Sequence, residues 1–309
     1  MAQARQGATA SPSQASNAHP TMNSSQATTL HDIPAEWQAF PASRRWPVLF
    51  LGHGSPMNAI EDNGWRQSWQ ELGKTLLANG EKPRLILCVS AHWITQGWQI
   101  TAMESPRTIH DFYGFPQELF DQQYPAPGDP ASANVIAKGM LDPASGKSIG
   151  VDDLEWGFDH GTWSVLKPMF PAADIPVVQL SIDYSRSAEE HYRLGQQLAA
   201  LRDKGVLIIG SGNVVHNLRA IQRQASDNQA YEWAIDFDQW VAERVSAGDM
   251  AGLSSFREQG DAARLSHPTW DHYLPLATIS GAVGKNDKPT FFNDRFQAAS
   301  ISMRSMIWS

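Results

Sequence analysis

Three apolar runs that each lead to a histidine constrain this chain more than any other feature. Arg84–Val89, within PRLILCVSAHW (83–93), is short, contains β-branched residues and is bounded by Pro83 and Ser90. That pattern suits a strand of a parallel sheet buried on both faces. His92 then falls just past its carboxyl end, where open α/β sheets place their ligands. Trp46–Ser55 (WPVLFLGHGS) repeats the plan with His53, and Gly205–Leu218 (GVLIIGSGNVVHNL) repeats it with His216. Three strands that deliver three imidazoles to one edge of a sheet suggest a metal site, because imidazole suits zinc, iron(II) and copper.

At 309 residues the chain has the length of one large α/β domain or two small ones. Its net charge of −8 is scattered rather than blocked, which argues against a nucleic-acid partner and its need for a basic face. The one cysteine, Cys88, lies inside an apolar run. An intramolecular disulfide is therefore impossible, a small core role is expected, and a reducing, cytoplasmic setting fits. No apolar run approaches the roughly 18 residues that span a membrane. The first thirty residues lack the apolar centre of a signal peptide. Rich in Ala, Ser, Gln and Thr, residues 1–30 read as a disordered tail, with Met22 as a second candidate start. Residues 31–309 then form one domain, its fold beginning near Trp46. Twelve Trp and twelve Phe against six Tyr suit core packing, or else an aromatic-lined pocket.

Along the chain, residues 63–77 carry Trp65, Trp69, Leu72 and Leu76 at helical spacing, and Trp98–Met103 reads as a strand. Glu104–Pro130 is long, irregular and dense in aromatics and proline, so it is expected to wall the strand ends with His110, Phe112, Tyr113 and Phe115 facing inward. Helices are expected at Ala131–Leu141, Val165–Phe170 (capped by Thr162 or Ser164), Ala188–Arg202 and Tyr231–Ser246. Ile175–Ile182 and the run to Gly210 are buried strands. A further helix starts at Thr269 or Asp271 with His272 in its first turns, and Lys288–Ser309 suits one or two antiparallel strands. The expected architecture is a single α/β domain: a central, mostly parallel sheet flanked by helices, with the metal site at the carboxyl ends of strands. His191 is expected on a solvated helix surface, His267 in a turn, and His19 and His31 in or beside the tail. GSGNVVHN lacks the full dinucleotide fingerprint.

GHGSPM, SAHW, IHDFYGFP, YPAPG, EWGFDHGTW, SGNVVHNL and HYLPL follow one another in this chain. In that order they resemble the class III extradiol ring-cleavage dioxygenases, in the bacterial branch similar to DOPA 4,5-dioxygenase. The resemblance runs from about Trp46 to Ser309. It implies a non-haem metal enzyme that uses O₂ to open a catechol ring next to its hydroxyls, acting as a monomer or small homo-oligomer. By that likeness His53, His92 and His272 hold the metal. His216 lies at the ion as a fourth ligand or as the acid/base beside it, and His160 contacts substrate. Phe112, Tyr113, Trp156 and Phe158 are the candidates to stack on the ring, and Asp159 or Asp271 to orient an imidazole. A relative branch, the protocatechuate 4,5-dioxygenases, has Glu where this chain has His272. The departure from two histidines and a carboxylate leaves Fe(II) for activity and Zn(II) in purified protein both open.

Two other readings stay open on the residues alone. A zinc hydrolase would need a general base near the metal, for which Glu155 is the candidate. A non-catalytic binding module on the same scaffold is the other, though the intact histidine set speaks against it. Arg107 is a candidate partner for a substrate carboxylate.

Overall fold

The computed structural model describes Ile33–Ser309, and the tail expected over residues 1–30 lies outside the described residues, as does His31. The strands are β1 (Val48–Gly52), β2 (Leu85–Ile94), β3 (Gln99–Thr101), β4 (Arg107–Thr108), β5 (Gly150–Asp152) and β6 (Gly157–Phe158), then β7 (Val177–Ile182), β8 (Val206–Gly212), β9 (Pro289–Phe292), β10 (Phe296–Gln297), β11 (Ile301–Ser302) and β12 (Ser305–Trp308). The helices are α1 (Gly64–Leu76), α2 (Gln117–Phe120), α3 (Pro130–Gly139), α4 (His160–Met169), α5 (Ala188–Leu198), α6 (Glu232–Ser246), α7 (Gly260–Ser266) and α8 (Leu274–Ser280).

Eight strands form one sheet in the order β5-β3-β7-β2-β8-β1-β12-β9. Its centre, β7-β2-β8-β1, is parallel throughout. These central strands are buried along nearly their whole length, which explains their continuous apolar runs. Strand periodicity then splits them between two cores. Leu85, Leu87 and Val89 join Ile208, Leu194 and Leu276 on one face. Ile86 and Cys88 join Ile209, Trp69 and Trp163 on the other. Truncating one of these fully buried aliphatic side chains to Ala costs about 2–5 kcal/mol. Cys88 is fully buried, as expected, and burial pushes its thiol up to about 12.

Local signals account for most element ends. Asn63 caps α1 by accepting the Arg66 N–H at 3.0 Å. Ser187 and Glu190 make a reciprocal capping box on α5, which tightens into a 3-10 turn at Ala199–Lys204. The C-terminal segment is antiparallel as expected but holds four strands rather than one or two: β12 pairs with both β9 and β1, and β10 with β11.

Several expectations need correction. The fold begins before Trp46, with a 3-10 turn at Ala35–Ala39 whose Trp37 is fully buried and donates its indole N–H to Val135 O on α3 at 3.2 Å. One aromatic in a polar stretch carries no periodicity that would announce such docking. β2 does not stop at Val89 but runs on through His92 to Ile94, its register against β7 shifting after Val89. α4 starts at His160, capped by Asp159 through the Thr162 N–H, not by Thr162 or Ser164. His272 lies in the turn before α8, not inside the helix. His191 is not solvated: it is fully buried, edge-on to Trp98, with Nδ1–H donating to Ser187 O at 2.9 Å. His267 is buried as well, its Nε2–H donating to Val214 O at 2.7 Å.

Burial holds the His191 imidazole down at about 4 in the folded chain, against about 6.5 unfolded. The unfolded chain binds more protons between those values, so this stability is complete above pH 6.5 and is lost as pH falls toward 4. Between pH 7 and 4.5, His191 should cost the wild type about 2–3 kcal/mol that His191→Gln does not lose. Urea unfolding at both pH values measures the difference, and equal acid sensitivity of the two proteins would refute it.

Candidate metal centre

β8 lies between β2 and β1 in the sheet, so the carboxyl ends of three adjacent parallel strands form one rim. His53 is the first residue past β1, and its backbone N–H donates to Gly212 O at the end of β8 (3.1 Å). Its ring is almost wholly buried. The Ser211 hydroxyl donates to Gly161 O, so its oxygen is left to accept His53 Nδ1–H at 3.1 Å. The proton on Nδ1 makes Nε2 the lone-pair nitrogen.

That Nε2 lies 3.2 Å from His92 Nε2. His92 Nδ1 in turn lies 3.2 Å from Asp111 Oδ2. Two imidazole nitrogens this close need a proton or a cation between them. His272 comes from the opposite side of the chain's order. Its Nδ1–H donates to Asp271 Oδ2 at 2.5 Å, again freeing Nε2. Its carbonyl accepts the Asn213 N–H, and a Cβ on Gly212 would stand 2.2 Å from that carbonyl oxygen. Only glycine at 212 lets the His272 turn lie on the end of β8. One ring nitrogen from each of His53, His92 and His272 lies within 4.8 Å of the other two. Three converging imidazoles, their second nitrogens facing Ser211, Asp111 and Asp271, fit a borderline divalent metal ion.

Two more imidazoles border this group. His216 lies flat on His272, ring centroids 3.5 Å apart and 5° from parallel. His160, first residue of α4, has its ring 3.9 Å from that of His92. Its Nδ1 is 2.9 Å from Asp111 Oδ1, an oxygen that also accepts the His160 backbone N–H at 2.9 Å.

Residues 47–306 match the family model described as the catalytic LigB subunit of aromatic ring-opening dioxygenase. The chain belongs to the LigB family. Similar proteins include 4,5-DOPA dioxygenase extradiol of Escherichia coli K12, 46% identical over 86% of this chain and 95% of that protein. The protein of the same name from Beta vulgaris is 37% identical over 84% and 94%. A crystal structure of an uncharacterized Escherichia coli K12 protein matches with a TM-score of 0.72 at 41% identity, covering 86% of this chain and 100% of that one. This LigB-family chain is thus a metal-dependent extradiol dioxygenase with a mostly parallel α/β scaffold.

Charges around the LigB site follow from burial and contact. Burial holds His53 well below the ordinary imidazole value, and His92 pushes the same way. Burial takes His272 down to about 4 against the pull of Asp271. His216 lies well below the ordinary value through burial and then the neighbouring His272. Burial and His92 also lower His160, against Asp111. His92 is the exception: burial lowers it, but Asp111 and Asp159 carry it above the ordinary value. Asp111 would be raised by burial, yet His160 and His92 hold it well below the usual carboxylate range. Burial therefore keeps the array neutral except at His92, where the carboxylates outweigh it.

The aromatic expectations divide. Phe112 is half-buried and sits edge-on to His160 at 5.5 Å. Tyr113 does not face inward: it is 91% exposed. Phe158 is fully buried in the core beside Tyr124 and has no face free to stack on a ring. Trp156 stacks on Trp93 and donates its indole N–H to Asp159. His110 turns to Gln122 O, and Phe115 packs on Phe112. Asp271 meets an imidazole as expected. Asp159 instead accepts from Ser90, whose Oγ takes the His92 backbone N–H. Arg107 spends its guanidinium on Glu155 O. Asp111 is the site residue that the sequence reading passed over, although it stands inside IHDFYGFP.

Ser211→Ala removes the partner of His53 Nδ1 and frees the wrong tautomer. Zinc affinity measured by equilibrium dialysis should fall about 10- to 100-fold. Unchanged affinity would show that Ser211 does not orient the ring.

Proposed function

We propose that this LigB-family enzyme opens the ring of a small catechol, DOPA-like compounds included, next to its two hydroxyls. The convergence of His53, His92 and His272 nitrogens carries the reading, and the 46% identity to the Escherichia coli protein of that name supports the substrate class. These three histidines would hold one divalent ion, Fe(II) for activity or Zn(II) as carried in purified protein. When bound, the ion supplies the Lewis-acid and redox chemistry that joins an acidified catechol to O₂.

The remaining work falls to side chains. His216, resting on His272, takes the proton of the second hydroxyl, returns it as the ring opens, and would be the fourth ligand in the zinc form. His160 holds the substrate oxygen from the His92 side, backed by Asp111. Phe112 offers the substrate ring an aromatic edge, and Trp156 lends its ring where Trp93 does not cover it. Substrate and O₂ are the partners in this reading, with no nucleic acid or membrane. Among the described residues no helix is long and apolar enough to cross a membrane. The single buried cysteine supports a cytoplasmic setting, and the protein acts as a monomer or small homo-oligomer in this reading. A hydrolase is less well supported, because Glu155, its candidate base, is exposed and lies outside both groups of converging ligand atoms.

Metal-free protein reconstituted without oxygen with Fe(II) or Zn(II), then given O₂ and a panel of catechols, tests the proposal. Oxygen uptake and a yellow ring-opened product are expected with Fe(II) and not with Zn(II), and His92→Ala should abolish both. His216→Ala should slow turnover about 10²- to 10⁴-fold. No uptake with any catechol by the iron-loaded protein would overturn the reading.

A further inference from the structure

The Asp111 carboxylate lies within ion-pair distance of two rings at once, although His160 Nδ1 is not aligned to donate to it. It stands in the loop between β4 and α2, its side chain 19% exposed. Oδ2 lies 3.2 Å from Nδ1 of His92, and Oδ1 lies 2.9 Å from both Nδ1 and the backbone nitrogen of His160. An imidazole presents a lone pair at Nε2 only if its proton sits on Nδ1, and an acceptor beside Nδ1 fixes it there. Of the three ligand-group histidines, His53 is fixed by Ser211 on β8 and His272 by its own neighbour Asp271. His92 alone depends on a residue carried by a long loop. The next residue, Phe112, lies against His160.

We infer that Asp111 is a positioning residue: one carboxylate sets the tautomers of His92 and His160 together and ties the seat of the loop to the metal-holding geometry. If the loop lifts, both rings lose their acceptor in the same movement. Phe112 leaves with it, so ion retention and the aromatic edge of the pocket are coupled. The inference takes the metal assignment from the proposed function, but its main readouts need no turnover.

The test uses the full chain with ¹⁵N-labelled histidine. In metal-free wild type, imidazole ¹⁵N shifts should report Nδ1–H tautomers for His92 and His160. In Asp111→Asn, which keeps the shape but only one acceptor oxygen, at least one of the two rings should lose that tautomer. Calorimetric titration should show zinc binding weakened about 10- to 100-fold in Asp111→Asn and Asp111→Ala. With Fe(II) and a catechol, kcat should fall while KM shifts less than threefold. A merely structural role would lower the urea midpoint and leave the tautomers alone. Should Asp111→Ala fail to fold, the near-isosteric Asn variant still decides. Unchanged tautomers with zinc affinity within twofold of wild type would overturn the inference. Absence of oxygen uptake by wild type would sink the ring-opening reading instead, leaving the NMR and zinc results to stand or fall alone.

Discussion

Two imidazole nitrogens 3.2 Å apart, on rings that Ser211 and Asp111 approach from behind, are the constraint around which this molecule is built. Contact this close needs a proton or a cation between the two nitrogens. They stay together because each ring is pinned from behind by Ser211, Asp111 or, for His272, Asp271. The cost of this pre-organisation is borne by the scaffold and recovered when a cation binds, the usual relation between a metal site and its fold.

The scaffold meets that demand by placing β8 between the strands that carry His53 and His92. β8 ends in two residues with separate tasks: Ser211 orients a ring, and Gly212 yields space for the His272 turn. Asp159 adds a third support from α4. It caps that helix while holding Ser90, and Ser90 holds the backbone of His92. The site is therefore assembled on the three adjacent strands β2, β8 and β1, and the apolar cores on both sheet faces keep the rim rigid.

What was legible in the sequence was whatever repeats or caps. The apolar runs announced β1, β2 and β8, and the histidines at their ends announced the rim. The helical spacing of Trp65, Trp69, Leu72 and Leu76 announced α1, and the Asn63 and Ser187 caps appear only in the structure. Long-range placement was not legible. Nothing near Trp37 or His191 marks them as buried, because their partners lie far along the chain or on another element. Tyr113 and Phe158 look alike as aromatics in aromatic-rich loops, yet one faces water and the other the core. Asp111 escaped notice because a carboxylate in a loop normally meets water, and only the folded loop brings two imidazoles to it.

The first ligand strand has a late neighbour. Val48 of β1 pairs with Trp308 of β12, and the Gly52 N–H at the strand's ligand end donates to Ser305 Oγ. On a ribosome adding about 5–20 residues per second, β1 must wait tens of seconds for that partner. Its open edge is meanwhile available to any other strand. The strand that leads to His53 therefore gains its last neighbour only after synthesis has passed residue 308. Nascent chains stalled short of that point should carry an unfinished sheet and a strong claim on chaperones.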